Sequence, residues 1–171
     1  MRMVYLIGEP GIGKTTLMRE YTHRLGPAVE MTKPLAYRMG AGWLELGRQR
    51  GMFSGTDGLS MSVQPLAIAW LRTLPATLVL GEGDRLGNAS FMEAVGAYAE
   101  VRCVAMVAPP EVGAERRANR AQPFTFNDTW LKGRISKVNN LLPQCTRILD
   151  ATLPTPELAN LLALEVERDG H

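Results

Sequence analysis

Met3-Val4-Tyr5-Leu6-Ile7-Gly8-Glu9-Pro10-Gly11-Ile12-Gly13-Lys14-Thr15-Thr16-Leu17-Met18 decides the fold. Residues 3–7 form an unbroken apolar run without alternation, the pattern of a strand covered on both faces of a parallel sheet. A glycine-rich loop follows it. Leu17, Met18, Tyr21 and Leu25 then recur at helical spacing until Gly26-Pro27 stops them. A buried strand, a glycine loop and an amphipathic helix, in that order, open an α/β sheet with an anion site at the helix N-terminus.

Residues 8–15 fit G-x-x-x-x-G-K-[ST] without a departure. Gly8, Gly11 and Gly13 let successive backbone N–H groups, that of Ile12 among them, converge on phosphate oxygens. Lys14 is expected to reach the β- and γ-phosphates, Thr15 to hold Mg²⁺ and Thr16 to touch the α-phosphate. A chance match in a chain of this composition is on the order of one in a hundred or less. The reading is therefore a nucleoside triphosphate site, for ATP with Mg²⁺.

Outward from the loop, apolar runs at 77–80 and 101–108 read as further buried strands, and 34–38 and 147–149 as short ones. Helical patterns lie at 90–99, at 111–120, at 129–142 with Asp128 as N-cap, and after Thr155-Pro156. Pro65 reads as a first helical residue, with Leu66, Ala69, Trp70 and Leu74 on one face. Glycines at 40, 42, 47, 51, 55 and 58 predict a looped acceptor-side segment over about 40–63 rather than a packed layer. The sum is a single domain, 1–171: a three-layer αβα fold with a mostly parallel five-stranded sheet.

Candidate catalytic residues cluster after the strands. Leu80-Gly81-Glu82-Gly83-Asp84-Arg85 sets two carboxylates and a cation at a strand's C-terminal end, where open α/β sheets bind ligands. Glu82 or Asp84 is expected to orient Mg²⁺ or to accept a proton from an attacking hydroxyl. Asp57, in Arg48-Gln49-Arg50-Gly51-Met52-Phe53-Ser54-Gly55-Thr56-Asp57, is the rival base within a candidate acceptor pocket. Arg116, Arg117 and Arg120 read as a lid over about 111–127. Arg116 and Arg120 would neutralise charge on a transferring phosphoryl group, and Arg117 would hold the nucleotide. Arg134 and Lys137 share a helix face and offer charge to a nucleotide or a polynucleotide.

The rest of the chain narrows the class. A formal charge of +2 does not announce a nucleic-acid binder, and two cysteines make no disulfide framework. No secretory layout or bilayer-length apolar run is visible, so a cytoplasmic location without membrane contact is expected. The chain carries no Asn-Lys-x-Asp, which GTPases use to read guanine, and no Asp-Glu pair ending the second core strand, as hydrolytic motors have.

With these residues laid out, the chain resembles the small P-loop nucleoside and nucleotide kinases, and more narrowly the kinase-like proteins often encoded by bacteriophages. Asp84-Arg85 resembles the acidic-Arg pair of deoxynucleoside kinases. Arg116, Arg117 and Arg120 look like lid arginines, and Asp57 sits where related kinases place a substrate-binding Asp. The resemblance implies phosphoryl transfer from ATP to a small nucleotide-type acceptor. It departs where Leu86 replaces the usual Ser, where the lid runs shorter than in adenylate kinases, and where 28–63 lacks a familiar base-reading signature. Two other readings stay open: a kinase acting on hydroxymethylated pyrimidines in DNA, and a P-loop ATPase or nucleotide switch.

Overall fold

The computed structural model describes residues 1–49, 53–75, 77–119 and 127–168. The opening apolar run becomes β1 (Arg2–Gly8), buried along its five central residues, and the helix after the loop is α1 (Lys14–Arg24). Then come β2 (Val29–Met31), β3 (Tyr37–Gly40), β4 (Trp43–Leu46), a short 3-10 turn at Thr56–Gly58, and α2 (Val63–Leu71). The second half runs β5 (Leu78–Glu82), α3 (Ala89–Gly96), β6 (Glu100–Val107), α4 (Pro110–Ala118), α5 (Asp128–Leu141), β7 (Arg147–Asp150) and α6 (Thr155–Glu167).

These strands form one sheet in the order β2-β3-β4-β5-β1-β6-β7. From β4 to β7 every pairing is parallel, while β2–β3 and β3–β4 are antiparallel. The sheet thus has seven described strands, which corrects the expected five. The parallel part has five, and a β2–β3 hairpin extends it. The unexpected strands are β2 and, in the glycine-rich segment, β4. All four residues of β4 are buried, where sequence gave no reason to expect a packed layer.

Alternate residues of β1 feed two cores. Met3, Tyr5 and Ile7 pack with Phe91, Val95 and Leu71 on the side of α2, α3 and α5. Val4 and Leu6 pack with Leu17, Met18, Leu158 and Leu162 on the side of α1 and α6. A three-layer αβα architecture follows from that alternation. No helix among the described residues is long and apolar enough to cross a membrane.

Three helix readings change, the first being that α2 begins at Val63 and not at Pro65. Asn127 caps α5, its side chain accepting from Thr129 N–H at 2.8 Å, and Asp128 is the first helical residue instead. In α2 the buried stripe is Val63, Ala67 and Leu71, while Leu66 is 46% exposed. Trp70 instead stacks on Tyr37 of β3, ring centroids 4.7 Å apart. The hairpin, invisible in the periodicity, selects the face.

If β4 is a packed strand, Leu46→Ala removes a fully buried side chain and costs about 2–5 kcal/mol. Leu66→Ala should stay within about 0.5 kcal/mol. Urea denaturation midpoints of the two variants check the contrast.

Candidate functional site

At the mouth of β1 the loop turns on glycines. Gly11 has φ 86°, and a Cβ there would lie 2.7 Å from Arg117 Cγ, so both backbone conformation and space demand glycine. Ile12, 1% exposed, pins the loop into the core, and Gly13 is the N-cap of α1. Lys14 Nζ donates to the carbonyls of Gly8 at 2.8 Å and Glu9 at 2.9 Å, so the ammonium lies against the loop it is expected to serve. Thr16 is exposed beside it.

Thr15 points to β5. Its hydroxyl donates to Glu82 Oε1 at 2.8 Å, joining the hydroxyl expected to bind a metal to the acid that ends the neighbouring strand. Glu82 is only 2% exposed. Burial pushes its carboxyl up to about 7; Lys14 and the Thr15 hydrogen bond pull the other way, while Asp57 and Glu45 add to the rise.

The acceptor-side segment docks on the same strand end. Gly55, with φ 64°, lies so close to Glu82 that any side chain there would collide with its carboxylate and its backbone oxygen. Thr56 Oγ1 donates to the Glu82 carbonyl at 2.9 Å and lies 2.7 Å from the Tyr5 hydroxyl. Asp57 Oδ1 accepts from the backbone N–H of Asp84 at 2.7 Å and of Arg85 at 3.0 Å. Two regions some 25 residues apart in sequence are thereby fused into one acidic corner beside Thr15.

The two candidate acids differ in what holds them. Asp84 turns its carboxylate to α5, where Arg134 and Lys137 pair with it, Lys137 at 3.0 Å. Lys137 also donates to the Asp84 carbonyl at 2.8 Å, and burial first, then Arg134, lowers its ammonium to about 8. Arg85 reaches the Asp57 carbonyl at 3.3 Å and the Met61 sulfur, and its buried Nε has no hydrogen-bond partner.

The arginines of α4 brace the loop. Arg116 donates to the carbonyls of Ile12 at 2.6 Å and Ala151 at 2.8 Å. Arg117 donates to the Pro10 carbonyl at 3.0 Å and lies 3.6 Å from Glu9 Oε2. A P-loop carbonyl turned outward leaves its N–H groups turned inward, so these bonds favour the phosphate-binding form. Arg120 and the lid stretch 120–126, like residues 50–52 of the acceptor-side segment, lie outside the described residues.

Sequence reasoning missed Glu45. It is 1% exposed on β4, meets Arg38 at 3.2 Å and accepts from the Gln49 side chain. Burial raises its pKa, against the Arg38 charge. The signal was a lone acid inside Trp43-Leu44-Glu45-Leu46, an expensive place for a carboxylate that lacks partners.

Comparison with known proteins agrees with this fold. The sequence profile of the family described as P-loop Nucleotide Kinase3 matches residues 1–149. No curated protein sequence matches the chain. Among solved structures, shikimate kinase from Aquifex aeolicus is similar at 17% identity and a TM-score of 0.58, over 98% of this chain and 96% of that one. A gluconokinase from Sinorhizobium meliloti gives 12% identity and 0.59, over 96% and 90%. Deoxyadenosine kinase from M. mycoides with bound dATP gives 9% and 0.55, over 98% and 100%. Likeness at these identities speaks for the fold alone.

Glu82 makes stability depend on pH. Its pKa is raised from 4.5 to about 7 on folding, so between those values the folded protein holds a proton that the unfolded chain has released. That stabilisation is complete below pH 4.5 and is lost as pH rises through 7, amounting to about 3 kcal/mol. Denaturation midpoints across this range should fall for the wild type and flatten in Glu82→Gln.

Proposed function

The chain belongs to the P-loop Nucleotide Kinase3 family and is an enzyme of the P-loop kinase type, and on that premise we propose that it transfers the γ-phosphoryl group of ATP, with Mg²⁺, to a nucleoside, nucleotide or similar small acceptor. The observation that carries the proposal is the Thr15–Glu82 hydrogen bond with Asp57 fixed over the same strand end. It puts a donor cradle, a metal-binding pair and a proton acceptor in one corner.

The residues present suit the metal. A hydroxyl and a buried carboxylate are hard oxygen donors, and Mg²⁺ takes few protein ligands because it keeps most of its waters. Thr15 and Glu82 would hold it, and it would offset the charge of the donor's phosphates there. Lys14, displaced from the Gly8 and Glu9 carbonyls, turns to the same phosphates. Arg116 and Arg117 act through the loop they brace.

On the acceptor side, Asp57 is the better base. One of its oxygens is committed to two backbone N–H groups, which fixes the carboxylate; the Asp84 carboxylate is neutralised by Arg134 and Lys137. The acceptor oxygen attacks the γ-phosphorus as the bond to the β,γ-bridging oxygen breaks. ADP leaves, and the acceptor's proton passes to Asp57. Arg85, with its unsatisfied buried Nε, sets a cation beside this base through its bond to the Asp57 carbonyl. The engagement of Arg134 and Lys137 by Asp84 also reduces the charge on which binding to a polynucleotide would draw.

A screen of labelled γ-phosphate transfer onto nucleosides, nucleotides and DNA identifies the acceptor. With that acceptor, Lys14→Ala should lose nearly all turnover while the circular dichroism spectrum stays native. Asp57→Asn, which keeps the backbone hydrogen bonds, should lower kcat by about 10²–10⁴. Asp84→Asn should act chiefly on stability by stranding two cations. Normal turnover in Lys14→Ala contradicts the loop as catalytic centre.

A further inference from the structure

The hairpin that extends the sheet does more than cover an edge. Between the β2–β3 hairpin, the end of β4 and the residues entering α2 lies a cleft of about 520 Å³, within the range of nucleotide-sized ligands. Its floor is apolar, formed by the buried Leu35, Leu59 and Val63. Its polar lining includes Arg38, Arg48 and Gln49, with Ser60 and Ser62 at the α2 side. The lining residues include two arginines and one acid, Glu30.

The two arginines are prepared differently. Arg38 is held by the buried Glu45, which also takes a hydrogen bond from the Gln49 side chain, so the guanidinium is fixed without being submerged: its side chain remains 22% exposed. Gln49 Oε1 is buried there without a partner. Arg48 pairs with Gly55 through its backbone, its stem passes over Gly58, and its exposed guanidinium meets no carboxylate among the described residues. A fixed cation and an uncommitted one on the lining of one cleft with an apolar floor make a binding place for an oxyanion attached to an organic body.

Position adds the second half. The cleft lies at the C-terminal end of β4, the same edge of the sheet as Glu82 on β5 and the loop after β1. β4 is two strands from β1, a span of about 10 Å. Glu82 and Asp57 stand between. A ligand held in the cleft by an anionic group therefore reaches the phosphoryl donor with its other end.

We propose that the acceptor is an anionic small molecule of about nucleotide size, that Arg48 and the Glu45-anchored Arg38 hold its phosphate or carboxylate in this cleft, and that a separate hydroxyl at its far end receives the phosphoryl group. This rests on the kinase reading above and narrows it. Arg48 and Arg38 set specificity without touching the reacting atoms, and Glu45 is a positioning residue for Arg38. An uncharged nucleoside or sugar fills the floor but leaves the Arg48 guanidinium unanswered.

The test uses labelled ATP and Mg²⁺ with matched pairs: nucleosides against their 5′-monophosphates, sugars against sugar phosphates, and sugars against sugar acids, plus single-stranded DNA. The phosphate and carboxylate arms separate the two sources of the anion. Label is expected on anionic members, with kcat/KM at least about tenfold above the uncharged parents. Arg48→Ala should raise KM for the anionic member about tenfold and close that gap, with Arg48→Lys recovering part of it. Arg72→Ala, an exposed arginine over Tyr98 away from the cleft, should change neither. Equal use of charged and uncharged members, with Arg48→Ala silent on KM, overturns the cleft assignment and leaves the kinase reading standing. Label on no small molecule, or on DNA alone, overturns both.

Discussion

A single hydrogen bond, from the Thr15 hydroxyl to the buried Glu82 carboxylate, is the constraint around which the site is built. It ties the first turn of α1 to the end of β5 and fixes the loop between them. A carboxylate with 2% exposure is costly to ionise, and the local structure is arranged around that cost. Lys14 and Thr15 favour the charged form, while Asp57 and Glu45 oppose it.

The same corner explains why a glycine-rich stretch is folded tightly. Gly55 approaches Glu82 at a distance no side chain permits, Thr56 is locked to Tyr5 and the Glu82 carbonyl, and Asp57 caps the backbone of residues 84 and 85. The glycines there serve close packing of backbone on backbone. On the other side of the loop, Arg116 and Arg117 spend their donors on the Ile12 and Pro10 carbonyls. Acidic corner, loop and bracing helix then lie side by side along one edge of the sheet, in the order of β5, β1 and β6.

What could be read from sequence depended on whether a signal was local. Residues 3–18 declare a strand, a loop and a helix by apolar continuity, glycine spacing and helical period, and the structure places them there, with β1 at Arg2–Gly8 and α1 from Lys14. β4 was illegible because it is four residues long, flanked by glycines, and carries a Glu that alternation assigns to solvent. Its burial depends on Arg38 and Gln49, which only the fold brings together. The face of α2 was misread for a related reason: Tyr37, from a hairpin with no periodic signature, draws Trp70 sideways. Asp57 and Asp84 could not be told apart in sequence, since what separates them is the ion pairing of Asp84 with Arg134 and Lys137 on a distant helix.

The most direct measurement is calorimetric titration of ATP with and without Mg²⁺, near pH 6.5, in two buffers of different ionisation enthalpy, on the wild type and on Glu82→Gln. If Thr15 and Glu82 hold the metal, Mg²⁺ tightens ATP binding in the wild type and expels a proton from a carboxyl that burial keeps near pKa 7. Both the tightening and the proton release should then be lost in Glu82→Gln. Equal metal coupling and equal proton release in the two proteins would place the metal elsewhere and contradict the role given to this pair.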